Sequence, residues 1–227
     1  MNVKRAFVII PVFNDTAVIR HVVEQVIRSG HTVVVVDDGS EEAILPALDK
    51  LCVYYIRHRF NLGQGAALQT GITFGLSKGA EFFVTFDADG QHDPSDIAPL
   101  MLELSDRNLD IVFGSRFLGL KPSKLPFIRK IILNVARFLN YLFSGILLSD
   151  AHNGLRVFNK KAAMSLHLIE NRMAHATEFL ITVKKKQLKY GEYPVHVSYT
   201  AYSRKKGQKT SYSFKVLQDI LLHKIFK

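Results

Sequence analysis

Apolar and amphipathic segments alternate through the first half of the chain. Strand-like apolar runs lie at 6–12, 32–37, 52–57 and 81–87, and segments with helical spacing lie at 15–29, 41–50 and 64–78. The runs around Val33–Val36 and Phe82–Phe86 are continuous rather than alternating, as in strands that are buried on both faces. A further strand is predicted from Asp110 to Phe113, ending at Gly114-Ser115-Arg116. This rhythm predicts an α/β fold in which helices cover both faces of a mostly parallel sheet.

The second half of the chain is dominated by amphipathic helical patterns. Between 128 and 146 apolar residues recur at helical spacing with a narrow polar stripe, which fits either packing on the core or lying in a membrane interface. The uncharged part of this stretch, 138–149, falls short of the roughly 20 residues that span a bilayer, so no transmembrane helix is expected. The apolar N-terminus lacks a small-residue cleavage site before Pro11, and we interpret it as a first buried strand.

Positive charge is concentrated at the C-terminal end. The formal net charge is +10, and residues 184–227 account for +9 of it, with ten Lys and one Arg against Glu192 and Asp219. Such a segment fits ligand phosphates, an acidic membrane surface, nucleic acid, or simply a solvated basic surface. With 48% hydrophobic residues the chain can fill one large core, and the lone Cys52, unable to form an internal disulfide, suits a reducing, cytoplasmic compartment.

Polar residues follow each predicted strand of the first half. They are Pro11, Asn14 and Asp15, then Asp37-Asp38-Gly39-Ser40, then Asn61-Leu62-Gly63-Gln64-Gly65, then Asp87-Ala88-Asp89-Gly90-Gln91-His92-Asp93. In an open parallel sheet, ligands bind at the carboxyl ends of the strands. We therefore expect these residues to meet at one edge and to form the functional site.

Asp87 and Asp89 are the strongest candidates for a metal site. Side chains two residues apart at a strand end point to the same side, so the two carboxylates converge and repel each other unless a cation lies between them. Mg²⁺ or Mn²⁺, completed by substrate phosphates and water, meets this need, and Gln91 could add an amide oxygen. The structural alternative is a surface turn in which Asp87 caps a helix that starts near Pro94.

The other polar loops allow both a binding and a structural interpretation. Asp38 or Asp37 could accept a hydrogen bond from a nucleobase N–H, although Asp-Gly is also common turn chemistry and Ser40 could cap a helix. The loop 61–66 could cradle a phosphate at the start of the next helix. It lacks the Gly-x-Gly-x-x-Gly spacing of dinucleotide folds, and no Walker lysine motif is present.

As an ordered series, these motifs resemble the family-2 glycosyltransferases, most closely their dolichol-phosphate mannosyltransferase-like branch, which acts on polyprenyl phosphates. The series is Pro11-Val12-Phe13-Asn14-Asp15, Val36-Asp37-Asp38-Gly39-Ser40, Asn61-x-Gly63-x-Gly65-Ala66-Ala67, Asp87-Ala88-Asp89-Gly90-Gln91-His92 and Gly114-Ser115-Arg116. Two looser matches follow, Asp150-Ala151-His152-Asn153-Gly154-Leu155-Arg156 and the basic loop from Arg204 to Lys209. Asp15 stands where the family usually has Glu, Gln64 where Lys is common, and Lys209 where Ser is expected.

The resemblance implies a GT-A fold, an inverting transfer and a metal held by Asp87, Asp89 and Gln91. It implies a nucleoside-diphosphate sugar held by Pro11, Val12, Asn14, Asp15, Asp37, Asp38, Gly65, Asp87, Ala88, Arg204 and Lys209. The domain would extend over 1–200, including amphipathic interface helices at 121–149, and would be followed by a basic loop and a C-terminal amphipathic helix at 201–227.

The catalytic residues implied are Asp89, Arg116 and Glu178. A polyprenyl phosphate acceptor is already an anionic nucleophile, positioned by Arg116 and Arg156, whereas a hydroxyl on a lipid-linked glycan needs a general base, for which Glu178 is the candidate. The enzyme is expected to be peripheral on the cytoplasmic face of the membrane. A membrane partner protein or a second copy of the chain is left open.

Two other classes of protein compete with this interpretation. A sugar-1-phosphate nucleotidyltransferase would carry a glycine-rich, Arg-containing loop after the first strand, where this chain has Pro11 to Asp15. A nucleic-acid-binding protein would account for the basic C-terminal segment, but no recognised fold signature accompanies those charges. We therefore expect no nucleic-acid partner.

Overall fold

The computed structural model describes residues 5–118, 137, 141–142, 144–168 and 175–198. In this part of the chain the strands are β1 (Phe7–Val12), β2 (Thr32–Asp37), β3 (Val53–Arg57), β4 (Phe82–Thr85), β5 (Ile111–Ser115), β6 (Arg156–Asn159) and β7 (Tyr190–Pro194). The α-helices are α1 (Thr16–Arg28), α2 (Gln64–Ser77), α3 (Ile97–Asp106), α4 (Lys160–Ser165) and α5 (His175–Lys185). Two 3₁₀ turns lie at Leu45–Leu48 and Pro94–Asp96.

The seven strands of the described residues form one sheet in the order β3-β2-β1-β4-β6-β5-β7. Strands β1 to β4 run parallel to one another, and β5 pairs with β7 in parallel. Strand β6 is antiparallel to both β4 and β5, so β6 alone of these strands is reversed. This confirms the mostly parallel sheet and adds a reversed central strand, which brings Arg156 opposite Thr85 near the carboxyl end of β4.

Helices cover both faces of the sheet, as predicted. Helices α1 and α3 pack with one set of strand side chains, including Val8, Ile10, Val33, Val35 and Val84. Helices α2, α4 and α5 pack with the opposite set, including Ile9, Val34, Val36, Phe83 and Phe158. Neighbouring strand residues thus enter different cores, which explains why the runs are continuously apolar.

One predicted helix is wrong. The segment 41–50 forms only the 3₁₀ turn Leu45–Leu48, which contains Pro46 near its start, and the chain leaves helical geometry at Asp49, with ψ of 135°, and Lys50, with φ of 63°. Ile44 and Leu48 are nevertheless buried, so the apolar positions imitate helical spacing without a helix. Strand β5 extends to Ser115, two residues beyond its predicted end.

Several predictions lie outside the described residues. The interface helices at 121–149 are described only at residues 137, 141–142 and 144–149, and the basic loop and helix at 201–227 are not described. Within the described residues, no helix is both long enough and apolar enough to cross a bilayer.

Candidate active site

The loops at the carboxyl ends of β1 to β4 contact one another and bring together the predicted site residues of the first half. The main chain of Asn14 donates to Ser40 Oγ at 3.0 Å, and its side-chain oxygen accepts from the Glu41 main chain at 2.9 Å. Asn14 adopts a left-handed backbone conformation, with φ of 55°, which Asn tolerates better than most residues. Gln64 Nε2, at the start of α2, lies 3.1 Å from Asp87 Oδ1. The shared edge expected from the sequence is present.

Asp87 lies at the centre of this edge. Its Oδ1 accepts from Gln64, its Oδ2 lies 3.2 Å from His92 Nε2, and its side chain remains 31% exposed. Gly154 packs directly against it, since a Cβ at this position would overlap Asp87 Oδ2. Thr85 Oγ1 donates to the Gly154 carbonyl at 2.6 Å and fixes this approach. The carboxylate is therefore positioned by its surroundings and still accessible from one side.

The charges around Asp87 keep it ionised. Burial alone would raise the pKa of Asp87, but the hydrogen bond and charge of His92, together with the charges of Arg156 and His175, hold it below its ordinary value. Gln64 and His92 were expected at this edge, but their bonds to Asp87 were not predicted. The contacts of Gly154 and His175 were not predicted either, because they join residues far apart in sequence.

Asp89 and Gln91 form a compact pair beside Asp87. Asp89 accepts from the Gln91 main chain at 3.0 Å and from Gln91 Nε2 at 2.7 Å. The cap of the turn that starts at Pro94 is Asp93, whose side chain accepts from Ser95 N at 2.9 Å. The structural alternative for Asp87, capping that turn, is thereby removed.

The side-chain oxygens of Asp87, Asp89 and Gln91 fit a hard divalent ion that also binds a substrate. Two carboxylates and an amide lie within five residues, and all of them offer oxygen ligands. Among the described residues, no group of three or more His, Cys, Asp or Glu side chains could hold a metal by itself. Mg²⁺ is commonly bound by one or two protein carboxylates together with substrate phosphates and water.

Asp37 is fully buried, and hydrogen-bond donors of the protein surround its carboxylate. Its oxygens accept from Ser40 N at 2.9 Å and Tyr55 Oη at 2.7 Å, and Arg57 Nε lies 3.4 Å away. Burial and the bond to Asp37 raise the pKa of Tyr55 well above its ordinary value. Asp37 thus fixes the turn that carries Asp38.

Asp38 organises the loop between β3 and α2. It accepts from His58 Nδ1 at 2.8 Å, from Leu62 N at 2.9 Å and from Gly63 N at 2.7 Å. The turn approaches this loop closely, since Gly39 has φ of +74° and a Cβ there would lie 2.6 Å from the Phe60 carbonyl carbon. A nucleobase that donates to Asp38 would share these oxygens, so its base-binding role stays a prediction.

Arg116 is held by a buried carboxylate. Its Nε lies 2.6 Å from Asp150 Oδ2, its Nη2 lies 3.1 Å from Oδ1, and its main chain also donates to Oδ2. Glu192 in turn accepts from the main chains of Ser149 and Asp150. The guanidinium is thus oriented at the end of β5, where the sequence predicted an acceptor contact.

Arg156 lies beneath the site. It is only 2% exposed, its guanidinium carbon lies 4.7 Å from the centre of the Phe179 ring, and burial lowers its pKa to about 10 against the opposing charges of Asp87 and Asp150. Its Nε has no hydrogen-bond partner among the described residues. Burial also lowers the pKa of His152 to about 4, against the charge of Asp150.

The other predicted site residues lie at the following positions in the fold. Pro11 and Val12 end β1, Gly65 is buried in the first turn of α2, Ala88 is buried beside Asp87, Asp15 is buried before α1, and Glu178 lies in the first turn of α5. Arg204 and Lys209 lie outside the described residues. The ligand roles of these residues stay predictions.

The family described as Glycosyl transferase family 2 matches residues 7–166. The chain belongs to this family and is a glycosyltransferase, as its motifs predicted. It is 32% identical to the UDP-N-acetylglucosamine--dolichyl-phosphate N-acetylglucosaminyltransferase of Methanococcus voltae, over 99% of this chain and 98% of that protein. It is 29% identical to the polyprenol monophosphomannose synthase of Mycolicibacterium smegmatis, over 73% of this chain and 65% of that protein.

Solved structures share the fold. Glucosyl-3-phosphoglycerate synthase from Mycobacterium tuberculosis, in complex with phosphoglyceric acid, superposes with a TM-score of 0.71 at 15% identity, covering 96% of this chain and 79% of that one. The same enzyme with Mn²⁺, UDP-glucose and phosphoglyceric acid gives a TM-score of 0.68 at 15% identity, with the same coverage. The predicted GT-A-like fold is confirmed.

Proposed function

We propose that the protein is a metal-dependent, inverting glycosyltransferase that moves a sugar from a nucleoside-diphosphate sugar to a polyprenyl phosphate or a lipid-linked glycan. This transfer would be a step in the synthesis of cell-envelope polysaccharide or glycolipid. The observation that carries the proposal is the ionised, partly exposed Asp87 beside Asp89 at the carboxyl edge of the sheet. The names of the archaeal and bacterial relatives support a lipid-phosphate acceptor, and the Mn²⁺ and UDP-glucose in a structure of the same fold support the donor and the metal.

The nucleoside-diphosphate sugar would bind at the carboxyl ends of β1 to β4. Asp87 and Asp89 would hold Mg²⁺ or Mn²⁺ with Gln91, and an ion bound there would stabilise the departing nucleoside diphosphate as a Lewis acid. The main-chain N–H groups at the start of α2, near Gly65, face the same edge and favour negative charge.

The acceptor side would use the second half of the fold. Arg116, oriented by Asp150, offers a guanidinium of fixed direction to an anionic acceptor. A phosphate oxygen carries its own negative charge, so its attack on the sugar needs no proton removed. For a hydroxyl acceptor, Glu178 would have to accept that proton.

Transfer to lipid tests this function directly. The purified chain is incubated with Mn²⁺, radiolabelled UDP- or GDP-sugars, and either a polyprenyl phosphate or the corresponding polyprenol. We expect label to enter the lipid extract only with the phosphate. Synthesis of a nucleotide sugar from sugar 1-phosphate and nucleoside triphosphate, without transfer to lipid, would contradict the proposal and favour a nucleotidyltransferase.

The protein would also bind peripherally to the cytoplasmic surface of the membrane. Tyr141, Leu142 and Leu147 are exposed, and Lys184 lies beside Gly145 in the same region, with Lys185 exposed next to it. Apolar contacts combined with basic residues are the two signals that stable peripheral binding requires. We expect co-sedimentation with anionic vesicles that weakens at high salt, and a chain that stays in the supernatant at low salt would contradict this part.

A further inference from the structure

The stretch that follows β7 lies along the loop that carries the predicted metal ligands. Val195 is buried, and its main chain donates to Ser115 O at 3.0 Å. Val197 forms an antiparallel bridge with His92, and Ser198 N donates to Gln91 O at 2.8 Å. We call residues 195–198 the strap.

A buried aspartate fixes the strap at its centre. Asp96, the last residue of the 3₁₀ turn, is 5% exposed, and both of its carboxylate oxygens are taken by a single residue. His196 donates its main-chain N–H to Oδ2 at 2.7 Å, and its Nδ1 lies 2.9 Å from Oδ1. The hydrogen bond and charge of Asp96, with a smaller contribution from Asp93, raise the pKa of His196.

The strap contacts the loop of residues 87–93, which we call the metal loop, at two points. It holds the main chain of Gln91, whose side chain bonds Asp89, and the main chain of His92, whose ring lies 3.2 Å from Asp87. The Asp96–His196 pair fixes the strap, and the strap contacts Gln91 and His92, so we expect the pair to act on metal binding through the strap and the loop.

We propose that Asp96 and His196 are positioning residues, which tie the strap to the metal loop and so keep Gln91 and His92 in the geometry that binds metal and donor. This inference rests on the proposed function, since it assigns the pair a role in that site. Supporting contacts of this kind matter because ligand groups must be held to within about half an ångström to work.

The alternative is that the pair only stabilises the fold, and the chain contains a matched control for that case. Lys161 Nζ lies 2.8 Å from Asp110 Oδ2, with side-chain exposures of 62% and 8%, against 2.9 Å, 61% and 7% for His196 and Asp96. Asp110 precedes β5, at the opposite edge of the sheet. Each alanine variant removes one side-chain contact and leaves the aspartate with a main-chain donor, Lys189 N for Asp110 and His196 N for Asp96. Asp110 also keeps its bond from Asn159.

The experiment compares three variants, His196→Ala, His196→Asn and Lys161→Ala. Mn²⁺ is titrated in saturating UDP, with GDP in parallel, and binding is followed by calorimetry and by the Mn²⁺ paramagnetic resonance signal, while melting temperatures are measured without ligand. His196→Ala should raise the Mn²⁺ dissociation constant by about tenfold, the lower end of the effect of losing a supporting contact. His196→Asn keeps a side-chain N–H that can reach Oδ1 and should restore most of the affinity, and Lys161→Ala should leave it unchanged.

The inference is overturned if His196→Ala lowers the melting temperature as Lys161→Ala does and leaves the Mn²⁺ affinity at the wild-type value. If His196→Ala does not fold, Asp96→Asn, checked by circular dichroism, carries the same expectation and the same contrary outcome. A wild-type chain that binds neither nucleotide with Mn²⁺ would overturn the proposed function as well. A wild-type chain that binds, with unaffected variants, would overturn this inference alone.

Discussion

Asp87 and Asp110 are aspartates at opposite edges of the same sheet, and their surroundings differ in kind. Asp110 is buried and accepts from Asn159 Nδ2, Lys161 Nζ and Lys189 N, so the chain itself supplies its donors. Asp87 has cations around it but keeps an exposed face. Both have a lowered pKa. A lowered pKa therefore does not by itself distinguish a functional carboxylate from a structural one, and the open face at the carboxyl ends of the strands is what separates Asp87 from Asp110.

The largest effect is expected when a carboxylate is removed from the open cluster. Asp89→Ala should lower transfer by at least about a hundredfold, the scale of losing one strong electrostatic contact in an active site. The fold should survive, because removing one of two neighbouring carboxylates relieves repulsion in the metal-free chain. Turnover and circular dichroism check this, and an active, metal-requiring Asp89→Ala enzyme would assign the ion to other residues.

Crowding Asp87 should be the next largest perturbation. In Gly154→Ala the new methyl group would overlap Asp87 Oδ2, so the carboxylate must move, and we expect weaker Mn²⁺ binding and slower transfer. Gly191→Ala is the matched control near the other edge, since its methyl group meets the flexible end of Leu109 at 2.8 Å. Equal Mn²⁺ affinities in the two variants, measured by titration, would show that the placement of Asp87 is unimportant.

Asp110→Asn should affect stability and leave the site intact. An amide cannot accept from all three donors of Asp110, and we expect a loss of about 1–3 kcal/mol in the free energy of unfolding. Denaturant titration measures this loss. Nucleotide and Mn²⁺ affinities should equal those of the wild type, and a large fall in either would mean that the two edges are coupled.

The smallest expected effect of Asp110→Asn is a change in how the free energy of unfolding depends on pH. The hydrogen bonds of Lys161, Lys189 and Asn159 outweigh burial and lower the pKa of Asp110 in the folded chain. The resulting stabilisation is complete above the unfolded pKa, about 3.9, and is lost as the pH falls through the lower, folded value. Asp110→Asn should remove this part of the acid dependence, and parallel curves of unfolding free energy against pH for both chains would contradict it.

The parallel half of the fold and the place of the site could be predicted from sequence. Continuous apolar runs such as Val33–Val36 have few other interpretations, and polar residues after such strands meet at one edge for geometric reasons. Strand β6 could not be predicted, because four residues that begin with the charge of Arg156 show no periodicity. The prediction of a helix over 41–50 was wrong because apolar spacing does not show that the chain leaves helical geometry at Asp49.

Several contacts that position the site residues join parts of the chain that are far apart in sequence, so no local sequence pattern predicts them. Gly154 meets Asp87 across 67 positions of sequence, and His196 meets Asp96 across 100. Gly154 belongs to one of the looser motifs, and nothing in the sequence relates it to the metal loop. The sequence thus predicts which residues carry the chemistry, and the fold shows which residues contact them.

If Asp87 and Asp89 bind a nucleoside diphosphate through a divalent ion, nucleotide affinity must depend on that ion. Calorimetric titration of the wild-type chain with UDP and GDP, in Mn²⁺ and in excess chelator, measures this dependence. We expect binding of at least one nucleotide with Mn²⁺, a large loss of affinity in chelator, and the same loss in Asp89→Ala with Mn²⁺ present. Nucleotide binding of equal strength with and without chelator would contradict it.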